Sequence, residues 1–209
     1  MADPLDPFMH CELVTWSQVC RLSLRVAGSI RESGFRPDVV VAIARGGYVP
    51  ARLLCDALGL YDLHSIRIAH YEAGAQKISQ ARCYSPPPAN VRGLRVLLVD
   101  DCSDTGDTLQ LALEQLRCCQ PQDVKVAVLH HKKVSPVLPD YYGRQIVAWR
   151  WLIYPWAVVE DLSGFIAVMK PCPDTPEEAV HQLHLRHGIK APLKTVENVL
   201  ALMRQRQAP

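Results

Sequence analysis

The sequence predicts an α/β fold, a mostly parallel twisted sheet flanked by helices with a C-terminal helical extension. Two runs carry that prediction. Val39 to Ile43 and Val96 to Val99 are unbroken apolar stretches rich in β-branched residues, the pattern of strands buried on both faces. Each is followed by a Gly-bearing turn and then by apolar residues at helical spacing: Leu53, Leu54, Ala57 and Leu58 after the first, Leu109, Leu111, Ala112, Leu113 and Leu116 after the second. Strands alternating with helices build parallel sheets, and right-handed crossovers gather the turns at the C-terminal edge of the strands. A chain of 209 residues, 49% hydrophobic, is long enough to fill one such core and carry an appendage.

The elements follow in order. Thr15 and Gln18 form a capping-box pattern ahead of a helix with Val19, Leu22, Val26 and Ile30 on one face, ended by Gly34 and Pro37. After the strand at 39–43 comes Ala44-Arg45-Gly46-Gly47, then a helix with Pro50 in its first turn. Ile66 to Ala69 reads as a short strand. Residues 71–93, with Pro86-Pro87-Pro88, read as a long mobile loop or loose hairpin. The second strand and its helix come next, then a strand over Val124 to Leu129, a Pro-rich loop over 133–143, a strand over Ile146 to Trp149 and an aromatic segment from Trp151 to Trp156. Thr175, Pro176 and Glu178 mark a helix start, Gly188 its end, and Val196, Val199, Leu200 and Met203 a second amphipathic helix. The expected division is therefore a main domain over 1–170 and a helical extension over 171–209.

Bulk properties exclude several classes. A formal charge of +2 gives no electrostatic case for nucleic acid or an acidic membrane surface. No apolar run approaches the ~20 residues of a membrane span, and the start, Met-Ala-Asp-Pro, lacks the basic and apolar regions of a secretion signal. A cytoplasmic protein is expected. The eight cysteines include no Cys-x-x-Cys pair, so free thiols are expected, with Cys20, Cys55 and Cys118 acting as small hydrophobes. His181, His184 and His187 are spaced too widely around a helix to ligate one metal, and read as a solvated face.

The chemistry concentrates after Val99. Asp100 and Asp101 are read as ending the strand, and Ser103, Asp104, Thr105, Gly106, Asp107 and Thr108 make a small polar turn into a helix. Hydroxyls and Gly at a helix start form a phosphate cradle, because the first N–H groups have no intrahelical partner. It is not a Walker A loop, since no Gly-Lys-Ser/Thr follows. Two adjacent carboxylates suit a sugar diol or Mg²⁺, and they can serve one ligand only where the strand ends. Asp107 is an odd neighbour for a phosphate. Its side chain is expected to point away while its N–H binds, with Thr105 and Thr108 as neutral donors.

This segment resembles the signature of type I phosphoribosyltransferases, an acidic pair followed by a small-residue phosphate turn. The resemblance implies that fold, and a site for 5-phosphoribosyl 1-diphosphate. Asp100 and Asp101 would hold the ribose hydroxyls and approach Mg²⁺, while residues 103 to 108 would wrap the 5′-phosphate. Ala44, Arg45 and Gly46 resemble the family's pyrophosphate loop, where a non-proline cis peptide often precedes the glycine, so one is expected before Arg45 or Gly46.

The acceptor half is similar to xanthine–guanine phosphoribosyltransferase and archaeal-type 6-oxopurine relatives: Lys132, Asp140-Tyr141, and Trp151 with Pro155-Trp156 fall in register. The resemblance implies that Lys132 donates to the 6-carbonyl of the base, Trp151 offers a stacking surface and the Leu152 carbonyl accepts from base N–H groups. Asp104 would face N7. No acidic residue adjoins Lys132 in sequence, so its charge is expected to be unshared. The reading is an Mg²⁺-dependent purine phosphoribosyltransferase. It would release pyrophosphate and a nucleoside monophosphate, close the 71–90 loop over its site, and work as a homodimer or tetramer. Hypoxanthine, guanine and xanthine stay open as acceptors. So do a non-catalytic regulator that senses the phosphoribosyl ligand and an enzyme using another base.

Overall fold

The computed structural model describes residues 9–72, 76–85, 87 and 91–207. Its strands and helices, in chain order, are β1 (Cys11–Leu13), α1 (Trp16–Glu32), β2 (Val39–Ala44), α2 (Tyr48–Leu58), β3 (Leu63–Glu72), β4 (Gln76–Ser85), β5 (Arg95–Ser103), α3 (Asp107–Cys118), β6 (Asp123–Lys132), β7 (Tyr141–Ile146), β8 (Trp151–Ile153), α4 (Val158–Ala167), α5 (Pro176–His187) and α6 (Leu193–Gln207). They fall into two compact units, one of residues 17–70 and 78–149, the other of residues 1–16, 71–77 and 150–209.

The first of these units carries most of the main sheet, whose strand order is β4-β3-β2-β5-β6-β7. β2 is parallel to both β3 and β5, and β6 is parallel to both β5 and β7. The uninterrupted apolar runs have the cause expected of them. Val39, Val41 and Ile43 pack with Leu109, Ala112 and Leu116 of α3 on one face of the sheet, while Val40 and Ala42 pack with Val26 and Ile30 of α1 and Leu54 of α2 on the other. From β2 the chain crosses by α2 to β3, whereas from β5 it crosses by α3 to β6, in the opposite direction. Strand order therefore reverses between β2 and β5, the point at which open α/β sheets form a crevice beyond their C-terminal ends. At the other end of these strands Asp38 grips Arg95 by two side-chain hydrogen bonds of 2.7 and 3.0 Å.

Several boundaries differ from the sequence expectation. β5 continues through both aspartates to Ser103, because pairing with β6 persists to Ser103 opposite His131. β3 is longer than Ile66–Ala69, and β4 stands beside it within the segment expected to be a mobile loop, so the hairpin alternative describes residues 76–85 better. Residues 73–75, 86 and 88–90 of that segment lie outside the described residues. The last strand of the main sheet is Tyr141–Ile146 rather than Ile146–Trp149. Asp140 aligns it by accepting from the Val126 N–H at 2.8 Å and from Lys125 Nζ at 3.0 Å.

In the other unit β1 pairs in parallel with β8, and α4, α5 and α6 complete the core. A boundary at Pro171 thus does not separate the C-terminal helices from the residues before it. α5 begins as expected: the Thr175 hydroxyl accepts from the Glu178 N–H at 3.2 Å, Pro176 occupies the first turn and Gly188 ends the helix at φ 68°. Its histidines do not share one solvated face. His181 and His184 are exposed, but His187 is buried, its Nδ1 3.1 Å from the Met9 carbonyl and its ring 4.7 Å from that of Phe165. All eight cysteines are free. Cys55 is buried as expected of a small hydrophobe, whereas Cys20 and Cys118 are exposed.

Candidate active site

Three adjacent parallel strands, β2, β5 and β6, end at the same edge of the main sheet, and each ends in residues with chemistry. β2 runs into Ala44-Arg45-Gly46-Gly47. The Ala44–Arg45 peptide is cis, as the family pattern led us to expect. A side chain at either glycine would displace a neighbour. A Cβ at Gly46 would fall on the Asp101 carboxylate, 2.7 Å from its Cγ, and one at Gly47 would strike the Val99 and Ile43 carbonyls. The loop after β2 therefore lies directly against the acidic pair on β5. The Gly47 N–H closes the turn onto the Ile43 carbonyl at 2.8 Å.

The acids themselves are not equivalent. Because β5 continues past them, they do not sit at the strand end. Asp100 is buried and accepts the Asp101 N–H at 2.9 Å, while Asp101 is half-buried beside Gly46. Burial, reinforced by the neighbouring Asp101 charge, pushes the Asp100 carboxyl well above the usual carboxylate range. A divalent cation beside the pair would offset that repulsion, and an all-oxygen donor set suits a hard ion such as Mg²⁺. Among the described residues no cluster of three or more His, Cys, Asp or Glu could hold a metal.

The turn over residues 103–108 is braced from behind. The Ser103 hydroxyl is buried and lies 2.8 Å from that of Ser135, so one donates to the other and the remaining proton goes to the Val137 carbonyl, 3.2 to 3.3 Å from both. Gly106 sits at φ 85°, where a Cβ would be 2.8 Å from Val137 Cγ2, so both conformation and space require glycine. Gly106 offers α3 no capping side chain. Asp107 does not simply turn away: its carboxylate accepts the Thr105 hydroxyl at 2.8 Å, which stiffens the turn and engages one of the two expected neutral donors.

Lys132 is the last residue of β6 and is buried. The expectation of an unshared charge is wrong. Its Nζ donates to Asp104 Oδ2 at 2.7 Å, a partner brought from the turn after the neighbouring strand. The other oxygen of Asp104 accepts the Trp149 indole N–H at 3.0 Å, and Lys132 Nζ stands 4.4 Å from the centroid of that ring. Trp149, together with the buried His131 beside Lys132, is what sequence reasoning missed. Burial lowers the pKa of His131 and favours its neutral form. Asp140 and Tyr141 serve the sheet, Tyr141 through a 2.8 Å contact with the Ser33 hydroxyl. Trp151 and Leu152 are on β8 in the other unit, opposite Cys11 and Glu12 of β1, with Leu152 buried and Trp151 half-buried.

A model of the phosphoribosyl transferase domain matches residues 12–159. The chain belongs to that family. The purine phosphoribosyltransferase of Pyrococcus horikoshii is 34% identical and superposes with a TM-score of 0.61, over 71% of this chain and 94% of that one. The xanthine-guanine phosphoribosyltransferase of Gluconobacter oxydans is 28% identical over 148 residues, 71% of this chain and 85% of the relative. That of Ruegeria is 29% identical over 153 residues. A Helicobacter pylori xanthine-guanine-hypoxanthine phosphoribosyltransferase, 20% identical with a TM-score of 0.60, shares the fold. The ends of β2, β5 and β6 all fall within the matched residues.

Proposed function

We propose that the protein transfers the 5-phosphoribosyl group of 5-phosphoribosyl 1-diphosphate to a 6-oxopurine, hypoxanthine, guanine or xanthine, as in purine salvage. The products are pyrophosphate and a nucleoside 5′-monophosphate. The observation that carries this reading is the Lys132–Asp104 pair, a buried ammonium 2.7 Å from a carboxylate at the ends of adjacent strands. A 6-oxopurine with its proton on N7 presents a carbonyl acceptor beside an N–H donor on one edge. The pair offers a donor beside an acceptor, and each can transfer its hydrogen bond to that edge. Adenine presents an amino donor at the 6-position, which an ammonium cannot accept from. The names borne by the relatives agree with a purine acceptor.

Other roles follow from position. The N–H groups of residues 103–108 with the Thr108 hydroxyl take the 5′-phosphate, Asp101 beside Gly46 takes the ribose diol with Asp100 buried next to it, and the Ala44–Gly46 loop with Arg45 takes the diphosphate. Trp151 and Leu152 enter the reading through their sequence register with Pro155 and Trp156. Mg²⁺, when bound by the acidic pair, would neutralise charge on the departing diphosphate. Cleavage at C1 builds positive charge on the sugar, so the protein's contribution is orientation and electrostatics. As N9 bonds to C1, Asp104 receives the proton that the base sheds from N7.

Calorimetry on two variants tests the assignment. Lys132→Met should retain wild-type affinity for 5-phosphoribosyl 1-diphosphate with Mg²⁺ and lose turnover with the 6-oxopurines. Asp101→Ala should lose donor affinity. Unchanged oxopurine turnover in Lys132→Met would remove Lys132 from the acceptor site.

A further inference from the structure

Trp149 follows β7 in a stretch without regular secondary structure, and no sequence motif marks it. Its indole nevertheless touches both members of the charged pair. The N–H donates to Asp104 Oδ1 at 3.0 Å, and the ring face lies 4.4 Å from Lys132 Nζ. Lys132 holds Asp104 Oδ2 at 2.7 Å. The three side chains thus form a closed triangle in which each carboxylate oxygen has its own donor. An indole N–H can only donate, so it holds that oxygen without competing for the proton the other must receive. The ring face attracts the ammonium through its quadrupole.

We propose that Trp149 is a positioning residue for transfer to the base, holding Asp104 and Lys132 as a preformed donor–acceptor edge that the base then takes over. The proposal rests on the reading above that this pair meets the purine. When the base arrives, Lys132 passes its hydrogen bond from Asp104 Oδ2 to the 6-carbonyl, and the vacated oxygen turns to the N7 proton. During that exchange the indole N–H is what keeps the carboxylate in place. A carboxylate without it would rotate, and the loss would appear in kcat, where orientation counts, rather than in donor binding.

The test uses the full chain with 5-phosphoribosyl 1-diphosphate, Mg²⁺ and whichever of hypoxanthine, guanine and xanthine the wild type converts fastest. Trp149→Phe keeps an aromatic face and removes the N–H, whereas Trp149→His keeps a ring N–H. The expected result is a kcat about tenfold or more lower in the Phe variant, partial recovery in the His variant, and donor affinity by calorimetry within about twofold of wild type. If melting shows the Phe variant unfolded, Trp149→Leu, which also lacks a donor, replaces it. A variant without the N–H that keeps wild-type kcat overturns the inference alone and leaves the proposed function intact. So does a kcat loss matched by an equal loss of donor affinity, which marks a structural role. A wild type that converts no 6-oxopurine refutes the underlying reading, and the inference with it.

Discussion

Asp104 connects the two halves of the proposed chemistry, since it opens the phosphate turn and holds Lys132. Removing one member of a buried ion pair leaves the other without its partner and costs about 3–5 kcal/mol when burial is complete. With side-chain exposures of 3% for Lys132 and 14% for Asp104, the lower end applies. Asp104→Ala should therefore lose about 3 kcal/mol in urea unfolding, while Lys132→Met, which leaves the more exposed partner with its indole donor, should lose less. Equal losses would show that the pair is screened by solvent. Cys102 lies beside the same groups, and burial pushes its thiol well above the ordinary range, with only partial relief from Lys132. Neutral-pH alkylation read by mass spectrometry should modify exposed Cys20 and Cys118 and spare Cys102. Rapid labelling of Cys102 would contradict that environment.

The turn after β2 separates two consequences of adding a single methyl group. At Gly46 the methyl displaces the Asp101 carboxylate, so Gly46→Ala should weaken donor binding at least tenfold with little change in stability. At Gly47 it meets the backbone carbonyls of Val99 and Ile43, so Gly47→Ala should cost about 1–3 kcal/mol by overpacking. Calorimetry and denaturation on both variants separate the effects, and a reversed pattern would refute the assignment. At the opposite end of β2, the hydrogen-bonded Arg95 guanidinium lowers the Asp38 pKa from 3.8 to about 2. Its stabilisation is complete above pH 3.8 and disappears as pH falls towards 2. Asp38→Asn should therefore flatten the acid limb of the stability profile across that window, and an unchanged slope would show the clamp to be inert. Elements with a strong periodic signal were legible beforehand: α1 through Val19, Leu22, Val26 and Ile30, and β2 and β5 through their apolar runs. α4 had a signal too, with Leu162, Phe165 and Ile166 on one buried face, but the aromatic segment before it obscured the start. The extra length of β5 was not legible, because Asp100 and Asp101 break the apolar pattern while the ladder to β6 continues beneath them.

Across the molecule, strand order reverses between β2 and β5, where open α/β sheets form a crevice, and the local motifs read from sequence fall at the ends of those same strands. What sequence could not supply was contact between residues far apart in the chain. Lys132 looked unpaired because Asp104 lies on another strand's turn, and Trp149 looked like part of a strand because Ile146 to Trp149 is apolar. Both depend on β5, β6 and β7 lying side by side, which no local pattern encodes. The measurement that bears most directly on the central claim is the initial rate of nucleoside monophosphate formation from 5-phosphoribosyl 1-diphosphate and Mg²⁺, with hypoxanthine, guanine, xanthine, adenine and orotate each supplied alone. The account predicts turnover with at least one 6-oxopurine and, because the pocket opposes two donors at the 6-position of adenine, a kcat/KM for adenine lower by on the order of 10⁴-fold. Conversion of adenine or orotate at the rate of the best oxopurine, or no conversion of any oxopurine, would contradict it.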